Sequence, residues 1–219
     1  MKKKRKSKKN KKQIRIIVIL LLAVICIFAV IKNVRIDDGV NIVCIDAGHG
    51  GNDVGAINGS RYEKDDNLRL ALRVKEELEA KEIRVIMTRE DDEFVELKDR
   101  CKTANRKHCD LFVSLHRNSS ESGTGAEAWI ESVAGTKESS LAKDLLDGIC
   151  GDTGYVNRGV KRGFRGSALG NYYVNSGTKM PSVLLEVGFI SNEKDNELFD
   201  RNLDENAKAI AEAIAANLK

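Results

Sequence analysis

The fold is decided by the stretch Val40-Asn-Ile-Val-Cys-Ile-Asp-Ala-Gly-His-Gly-Gly51. Its first half, residues 40–45, is a short apolar run that predicts a buried strand. Its second half is a glycine-rich loop around His49, and further glycines at positions 55 and 59 extend that loop. The glycines beside His49 allow backbone and ligand to approach closely. The stretch therefore predicts a strand that ends at a functional loop.

Outward from this stretch, apolar patterns of strand and helix type alternate along the chain. This alternation predicts an α/β fold with a largely parallel sheet, whose functional residues gather at the carboxyl ends of the strands. Further strands are predicted at 83–87, 111–115, 126–130, 172–175 and 182–187, and residues 159–170 are predicted to form a basic glycine-rich loop. Helices are predicted at 63–81, 96–107, 140–149 and 203–214.

The first 39 residues differ in character from the rest. Residues 2–15 carry ten Lys or Arg and no acid, and residues 16–31 form an uncharged apolar run that ends at Lys32. A helix of that length spans about 24 Å, and Arg15 and Lys32 can extend it by snorkelling toward the bilayer surfaces. We expect a cytoplasmic tail (1–15), a transmembrane signal anchor (16–32), a spacer (33–39) and an extracellular domain (40–219). A cleaved signal peptide, and hence secretion, is the alternative, although no A-x-A site follows the run.

The positive net charge belongs to the tail and not to the domain. The chain carries +4 overall, but without residues 2–15 it has 27 basic against 33 acidic residues, which is a net charge of −6. Aromatic residues make up only 5%. A nucleic-acid-binding domain would carry its basic charge on the folded surface, so we expect no nucleic-acid partner.

The cysteine pattern excludes one class of metal site. Of the five cysteines, Cys26 lies in the apolar run and the other four form no C-x-x-C pair. A zinc site built from four cysteines is therefore not expected. We expect mostly buried free thiols, and a disulfide between Cys101 and Cys109 is the alternative.

Two of the three histidines lie just after predicted strands. His49 and His116 each follow an apolar strand, and Glu63 opens the helix after the glycine loop. Two imidazoles and one carboxylate leave a fourth position open for water, which is the ligand set of a catalytic zinc ion. The alternative is that each side chain is only a hydrogen-bonded loop or core residue. His108 precedes a strand, at the wrong end for this site, and only that ordinary role is expected of it.

Glu186 is unusual because it lies in the apolar segment 183–190. A buried carboxylate is costly unless it is paired or serves a bound group, and burial raises its pKa toward the range useful for proton transfer. The alternative is a core glutamate paired with Arg or Lys. Strand alternation predicts that Leu185 and Val187 point to the opposite face from Glu186.

Taken together, these motifs resemble the zinc-dependent N-acetylmuramoyl-L-alanine amidases of the third amidase family. The resemblance covers about residues 41–218, and four stretches occur in the family's order. They are Ile45-Asp-Ala-Gly-His-Gly-Gly51, Glu63-Lys-Asp-Asp-Asn-Leu68, Ser114-Leu-His-Arg-Asn118 and Glu186-Val-Gly-Phe-Ile-Ser-Asn192.

The resemblance implies a twisted sheet of about six strands, one zinc ion per chain held by His49, Glu63 and His116, and a catalytic carboxylate at Glu186. The implied reaction is hydrolysis of the amide between N-acetylmuramic acid and L-alanine in peptidoglycan. The layout is similar to that of anchored single-domain spore-cortex amidases. Another zinc-dependent wall enzyme, such as a carboxypeptidase, and a catalytically silent wall-binding module are the alternatives, and no protein activator is indicated.

Four further residues are candidates for substrate contact. Arg117 and Asn118 follow His116 within the third stretch, and Arg117 and Ser119 replace the small residues often seen around that histidine in the family. Arg162 and Arg165 lie in the segment 158–165, which carries four cations and no acid and is predicted to bind the carboxylates of peptide stems. The alternative is that this segment is only a solvated basic loop.

Glu127, in the predicted strand 126–130, is a candidate hydrogen-bond partner for one of the ligand histidines. The alternative is that Glu127 is a solvated strand residue without a role in the site.

Overall fold

The computed structural model describes residues 17–23, 39–151, 153–167 and 170–218. Gly39 to Lys219 forms one compact unit, and residues 17–23 belong to a separate one. Residues 17–23 are helical with exposed apolar side chains. Within the described ranges, no helix combines the length and the apolar character needed to cross a bilayer. Most of the predicted anchor (16–32) and the tail before it lie outside the described residues.

Strands and helices alternate through the domain. The strands are β1 (Ile42–Ala47), β2 (Ile57–Asn58), β3 (Arg61–Tyr62), β4 (Arg84–Met87), β5 (Leu111–Asn118), β6 (Ala126–Ile130), β7 (Asn157–Arg162) and β8 (Ser182–Phe189). The helices are α1 (Glu63–Glu79), α2 (Leu97–Arg106), α3 (Thr136–Gly151), α4 (Tyr173–Gly177), α5 (Glu193–Arg201) and α6 (Leu203–Ala216).

Six of these strands form one sheet in the order β4-β1-β5-β8-β6-β7. The first four run parallel, β6 is antiparallel to β8, and β7 is parallel to β6. The predicted largely parallel six-stranded α/β fold is confirmed. Parallel neighbours place their carboxyl ends at one edge, so the ends of β1, β5 and β8 lie side by side.

The two faces of the sheet have different chemistry. One face is apolar throughout and packs against α1, α3 and α6, with Val113 of β5 and with Leu185 and Val187 of β8 in its core. On the other face, the amino-terminal part of the strands packs against α2 and α4 in a small apolar cluster. The side chains on this face become polar toward the carboxyl ends of the strands. Asp46, Ser114, His116 and Glu186 belong to this second face because they alternate with the apolar positions. The predicted orientation of Glu186 is confirmed.

The cysteines of the domain lie mainly beneath α2. Cys44, Cys101 and Cys109 are buried in the cluster on the second face, and Cys150 is partly buried. All four are free thiols, and Cys101 is not bonded to Cys109.

Two secondary-structure predictions were wrong. Residues 157–162 form the edge strand β7, not a loop, because they pair with β6 despite their charges. Residues 173–177 form the short helix α4, not a strand. This helix is held by tertiary contacts, since the Asn175 amide donates to the Trp129 carbonyl oxygen and the Asn105 amide donates to the Gly177 carbonyl oxygen.

Two elements were not predicted. Helix α5 follows Asn192, whose side chain accepts a hydrogen bond from the Asp195 N–H and so caps the helix. The β2–β3 hairpin turns at Gly59-Ser60, where Gly59 has φ +60°. A glycine at that turn position is a recognisable hairpin signal.

Candidate metal centre and active-site cleft

Three side chains from different segments meet at the carboxyl edge of the sheet. His49 lies in the loop after β1, Glu63 is the first residue of α1, and His116 lies near the end of β5. Glu63 Oε1 lies 3.2 Å from His49 Nε2 and 2.9 Å from His116 Nδ1, and one potential ligand atom from each residue lies within 4.8 Å of the others. Two imidazole nitrogens and one carboxylate at this spacing can hold a metal ion.

His108, the third histidine, lies elsewhere. It is exposed in the turn between α2 and β5, at the opposite end of the strand from His116.

Backbone groups fix the carboxylate of Glu63. The Ala56 N–H donates to Oε2 at 2.8 Å, and the Arg117 N–H donates to Oε1 at 3.1 Å. A side chain at Gly55 would approach Glu63 Oε2 to 2.6 Å, and Gly55 also has φ +65°, so only glycine fits there. Asp53 completes the group because its Oδ2 lies 2.9 Å from His49 Nδ1 and orients the imidazole.

The three groups are strongly coupled electrostatically. Burial raises the pKa of Glu63, but hydrogen bonds and charge interactions with His116 and His49 outweigh burial and hold that pKa well below its usual value. Burial lowers the pKa of His49, yet Glu63 and Asp53 raise it to about 9. The cluster is therefore built to attract positive charge, whether a proton or a metal cation.

Glu186 lies beside this cluster and not within it. It pairs in register with His116 on β5 and with Glu127 on β6. The residue is 9% exposed, and its buried Oε2 has no hydrogen-bond partner in the part of the chain that the structure describes. Burial, together with the charges of Glu63 and Glu127, raises the pKa of Glu186 to about 8. A carboxyl group in this state can accept and release a proton near neutral pH.

Two buried arginines hold the loop that carries His49. Arg100 donates through Nη1 to the Ala47 carbonyl (2.7 Å) and through Nη2 to the His49 carbonyl (2.7 Å). Arg89 donates through Nε to the Ala47 carbonyl (2.9 Å) and through Nη2 to the Gly48 carbonyl (3.0 Å). Three consecutive carbonyls are thus fixed, and His49 keeps a left-handed conformation with φ +60°.

Asp46 anchors this arrangement from the second face of the sheet. Its carboxylate accepts hydrogen bonds from Arg100 Nη1 (2.8 Å), Thr88 Oγ1 (2.6 Å) and Ser114 Oγ (2.5 Å). Sequence reasoning did not identify Asp46, Arg89 or Arg100. The sequence signal available for Asp46 was a carboxylate at the end of an apolar run, between Ile45 and Ala47. Glu186 was identified by the same kind of signal.

The metal-binding group lies in a cleft of about 730 Å³. The segment before α2 and the segment between β7 and α4 contribute to its lining. The lining includes Phe94, Leu97, Asn118, Phe164, Arg165, Tyr172 and Tyr173 besides the metal-binding residues and Glu186.

Three of the four predicted substrate contacts, Arg117, Asn118 and Arg165, are among the residues that line the cleft. Asn118 is buried, donates its amide to Glu127 Oε1 and accepts a hydrogen bond from Arg165 Nη1 at 3.0 Å. Arg165 also donates to the Ser119 carbonyl at 3.2 Å. The guanidinium of Arg165 is therefore held at the wall of the cleft against the end of β5.

Two of the predicted contacts, Arg117 and Arg162, are revised. Arg117 borders the cleft, but its side chain is fully buried, pairs with Asp66 at 2.5 Å and stacks 4.3 Å above the Phe199 ring, so its guanidinium is a structural group. Arg162 turns toward α3, where it donates to the Ala134 carbonyl and to Ser139 Oγ.

Both interpretations of Glu127 were wrong. It is buried, and its partners are Asn118, Trp129 and Arg158 rather than a ligand histidine.

Comparison with known proteins gives one consistent result. The profile of the family described as N-acetylmuramoyl-L-alanine amidase (Amidase_3) matches residues 43–218. The chain is 35% identical over 156 residues to the N-acetylmuramoyl-L-alanine amidase LytC of Bacillus subtilis, a match that covers 70% of this chain but only 30% of LytC. It is 32% identical over 176 residues to the germination-specific N-acetylmuramoyl-L-alanine amidase of the same organism, covering 73% and 71% of the two chains.

A solved structure agrees with these relatives. The catalytic domain of CwlV, an N-acetylmuramoyl-L-alanine amidase from Bacillus (Paenibacillus) polymyxa var. colistinus, superposes with a TM-score of 0.73 at 37% identity. The superposition covers 82% of this chain and 98% of that domain.

Replacing Arg100 with Met should destabilise the domain by about 3–5 kcal/mol near neutral pH, because it leaves the Asp46 carboxylate buried without its cation. Burial raises the pKa of Asp46, but Arg100, Ser114 and Thr88 together hold it below the ordinary value of 3.8. In the wild type this carboxylate contributes stability above that value and loses it at lower pH. In the variant the pKa should rise instead, so the two free energies of unfolding should converge as the pH falls toward about 4.

Urea unfolding at several pH values measures this difference. Lys102→Met is the matched control, because Lys102 lies on the same helix with its side chain 55% exposed and should change stability by less than about 0.5 kcal/mol. A difference between Arg100→Met and wild type that does not vary with pH would contradict the assigned role of the Asp46–Arg100 pair.

Proposed function

The chain belongs to the N-acetylmuramoyl-L-alanine amidase family (Amidase_3), and we propose that it hydrolyses the amide between N-acetylmuramic acid and L-alanine in peptidoglycan with the help of one zinc ion. The observation that carries this proposal is the placement of Glu186 beside the cluster of His49, Glu63 and His116 at the base of an open cleft.

The donor set fits zinc in its catalytic form. His49, Glu63 and His116 would hold the ion and leave a fourth position for water or substrate. A zinc ion bound there supplies a Lewis acid that polarises the scissile carbonyl and lowers the pKa of water toward about 7. Asp53 keeps the His49 ring in the orientation that turns Nε2 toward the cluster.

Glu186 performs the proton transfers in this proposal. Among the described residues its buried Oε2 has no hydrogen-bond partner, and burial with neighbouring negative charge makes that oxygen basic. Glu186 takes the proton from the attacking water and passes it to the nitrogen of the leaving L-alanine. The proton lowers the energy of the departing amine, and the carboxylate is restored at the end of the cycle.

Arg165 is the proposed contact for the peptide. Peptide stems carry carboxylates, and an arginine held at the wall of a cleft can bind a carboxylate through charge-assisted hydrogen bonds. Asn118 supports this role by accepting a hydrogen bond from the Arg165 guanidinium.

The location of the domain is a separate proposal that rests on the sequence. The ten cations in residues 2–15 and the apolar run 16–31 favour an anchor with the catalytic domain outside the cell membrane. Protease added to intact, wall-stripped cells should degrade the domain. Protection of the domain until the cells are lysed would show the opposite orientation.

Digestion products provide the direct test of the reaction. Purified peptidoglycan treated with the full chain should release peptides that begin with L-alanine, identified by mass spectrometry, and a chelator should abolish their release. Release of C-terminal amino acids alone would indicate a carboxypeptidase. No released product with a zinc-loaded chain would indicate a wall-binding module without activity.

His116→Ala should lose nearly all bound metal, because two remaining ligands cannot hold zinc at the affinity of three. Metal analysis of the purified chain should find about one zinc in the wild type and almost none in the variant. His108→Asn is the control: His108 is exposed outside the cluster, and asparagine tolerates its φ of +51°. Full zinc content in His116→Ala would contradict the proposed ligand set.

Glu186→Gln should lower kcat by about 10²–10⁴-fold, because glutamine has nearly the same shape as glutamate but cannot take up the proton. Zinc content should remain near one per chain, since Glu186 is not part of the ligand group. Two results would each count against this role: full activity in the variant, or loss of zinc, which would make Glu186 a ligand.

A further inference from the structure

The cleft is flanked by two segments of opposite charge. Residues 90–97, here called the acidic lip, contain five acids in the sequence Glu90-Asp-Asp-Glu-Phe-Val-Glu-Leu97 and no cation. Residues 158–165, here called the basic lip, contain four cations and no acid. Arg158 pairs with Glu127 and Arg162 turns toward α3, so the cation of this lip that lines the cleft is Arg165. Glu96 lines the cleft on the first side, and Arg165 lines it on the second.

The two lips are connected to opposite edge strands of the sheet, and the catalytic groups come from the strands between them. The acidic lip follows β4, which is one edge strand of the sheet, and the basic lip includes β7, which is the other edge strand. His49 comes from the loop after β1, His116 from β5 and Glu186 from β8, and these three strands lie between the two edge strands. A substrate bound across the catalytic groups therefore meets a different lip at each end.

Each lip also exposes large apolar side chains to the cleft. Phe94 is 46% exposed and Leu97 is 53% exposed in the acidic lip, and Phe164 is 45% exposed in the basic lip. Exposed apolar groups gathered in a cleft mark a surface that a ligand covers. The Phe164 ring packs against the Tyr172 ring with their centroids 4.9 Å apart, and this contact helps to fix its position.

The acidic lip is attached firmly to the metal-binding loop. Lys64 Nζ donates to Asp92 Oδ2 at 2.6 Å, and the Gly51 N–H donates to Asp92 Oδ1 at 2.8 Å. Arg100 Nε donates to the Val95 carbonyl at 3.0 Å while its Nη2 holds the His49 carbonyl. Phe94 and Leu97 are therefore presented by a fixed wall of the cleft.

The proposed substrate has two halves that match these differences. On one side of the scissile amide is a glycan strand, whose peptide-bearing sugars are uncharged and have apolar C–H faces and many hydroxyl groups. On the other side is a peptide that carries carboxylates. Resting on the proposed function, we propose that the acidic lip binds the glycan and the basic lip binds the peptide, so that the charge across the cleft fixes the direction of the substrate.

The acidic lip would bind the sugar by favourable contacts and would repel the peptide carboxylates. The Phe94 ring and the Leu97 side chain can pack against the C–H face of a sugar, and Glu96 can accept hydrogen bonds from its hydroxyls. A substrate bound in the reverse direction would bring peptide carboxylates beside Glu96, which is the acid of the acidic lip that lines the cleft. Like charges in that position disfavour the reversed complex.

Defined muropeptides test this assignment. Three substrates carry the same peptide on muramic acid alone, on a disaccharide and on a tetrasaccharide, and a fourth has the tetrasaccharide with its peptide carboxylates amidated. Each is assayed with the full zinc-loaded chain of the wild type, Phe94→Ala, Phe94→Trp and Arg165→Ala. Val133→Ala is the control, because Val133 is 81% exposed and does not line the cleft.

Phe94→Ala should lower kcat/KM for the tetrasaccharide substrate by about 5- to 10-fold, mainly through KM, and change the muramic acid substrate by less than about 2-fold. Phe94→Trp should restore the tetrasaccharide value. Arg165→Ala should raise KM by about 10-fold or more at every glycan length, and this effect should disappear with the amidated peptide. Melting temperature and zinc content should remain those of the wild type.

Three outcomes would overturn the assignment: a Phe94→Ala effect that is independent of glycan length, no Phe94→Ala effect, or an Arg165→Ala effect that persists with the amidated peptide. In each of them the wild type still releases L-alanine-terminated peptide, so the proposed function stands. If the wild-type chain cleaves none of the four substrates, the proposed function fails and the assignment of the lips fails with it.

Discussion

The site depends on one interaction, which is the position of the Glu63 carboxylate between two imidazoles. Its Oε1 lies 2.9 Å from His116 Nδ1 and 3.2 Å from His49 Nε2, while the backbone of Ala56 and Arg117 holds the carboxylate in place. Three segments that are distant in sequence must meet for this to occur. The parallel sheet makes the meeting possible by ending β1 and β5 side by side, with α1 beginning above them.

The rest of the polar network keeps those segments still. Asp46 and Arg100 form a buried ion pair on the second face of the sheet, and the same guanidinium reaches the His49 carbonyl. Arg117 connects α1 to α5 through Asp66 and Asn196, while its own N–H holds Glu63. Buried charges of this kind are costly by themselves, and their benefit in this protein is a fixed geometry for the metal-binding group.

Sequence alone predicted the elements with strong apolar periodicity. It grouped His49, Glu63 and His116 because they fall at strand or helix ends, and it singled out Glu186 because that carboxylate lies within an apolar strand. It failed where distant contacts decide the structure. Strand β7 has an unfavourable charged sequence and forms because β6 provides a partner, and α4 forms because Trp129 and Asn105 hold it. The side-chain directions of Arg117, Glu127 and Arg162 depend on packing partners up to 79 residues away, which no local pattern encodes.

We propose that His49, Glu63 and His116 form a single zinc site and that Glu186 lies beside this site without binding the metal. Anomalous diffraction from a crystal of the zinc-loaded chain, collected on both sides of the zinc absorption edge, tests this claim most directly. One anomalous peak per chain is expected, within about 2.0–2.2 Å of a nitrogen of His49, a nitrogen of His116 and an oxygen of Glu63. A peak at another place in the domain, or one with Glu186 at the same bonding distance, would contradict this zinc site.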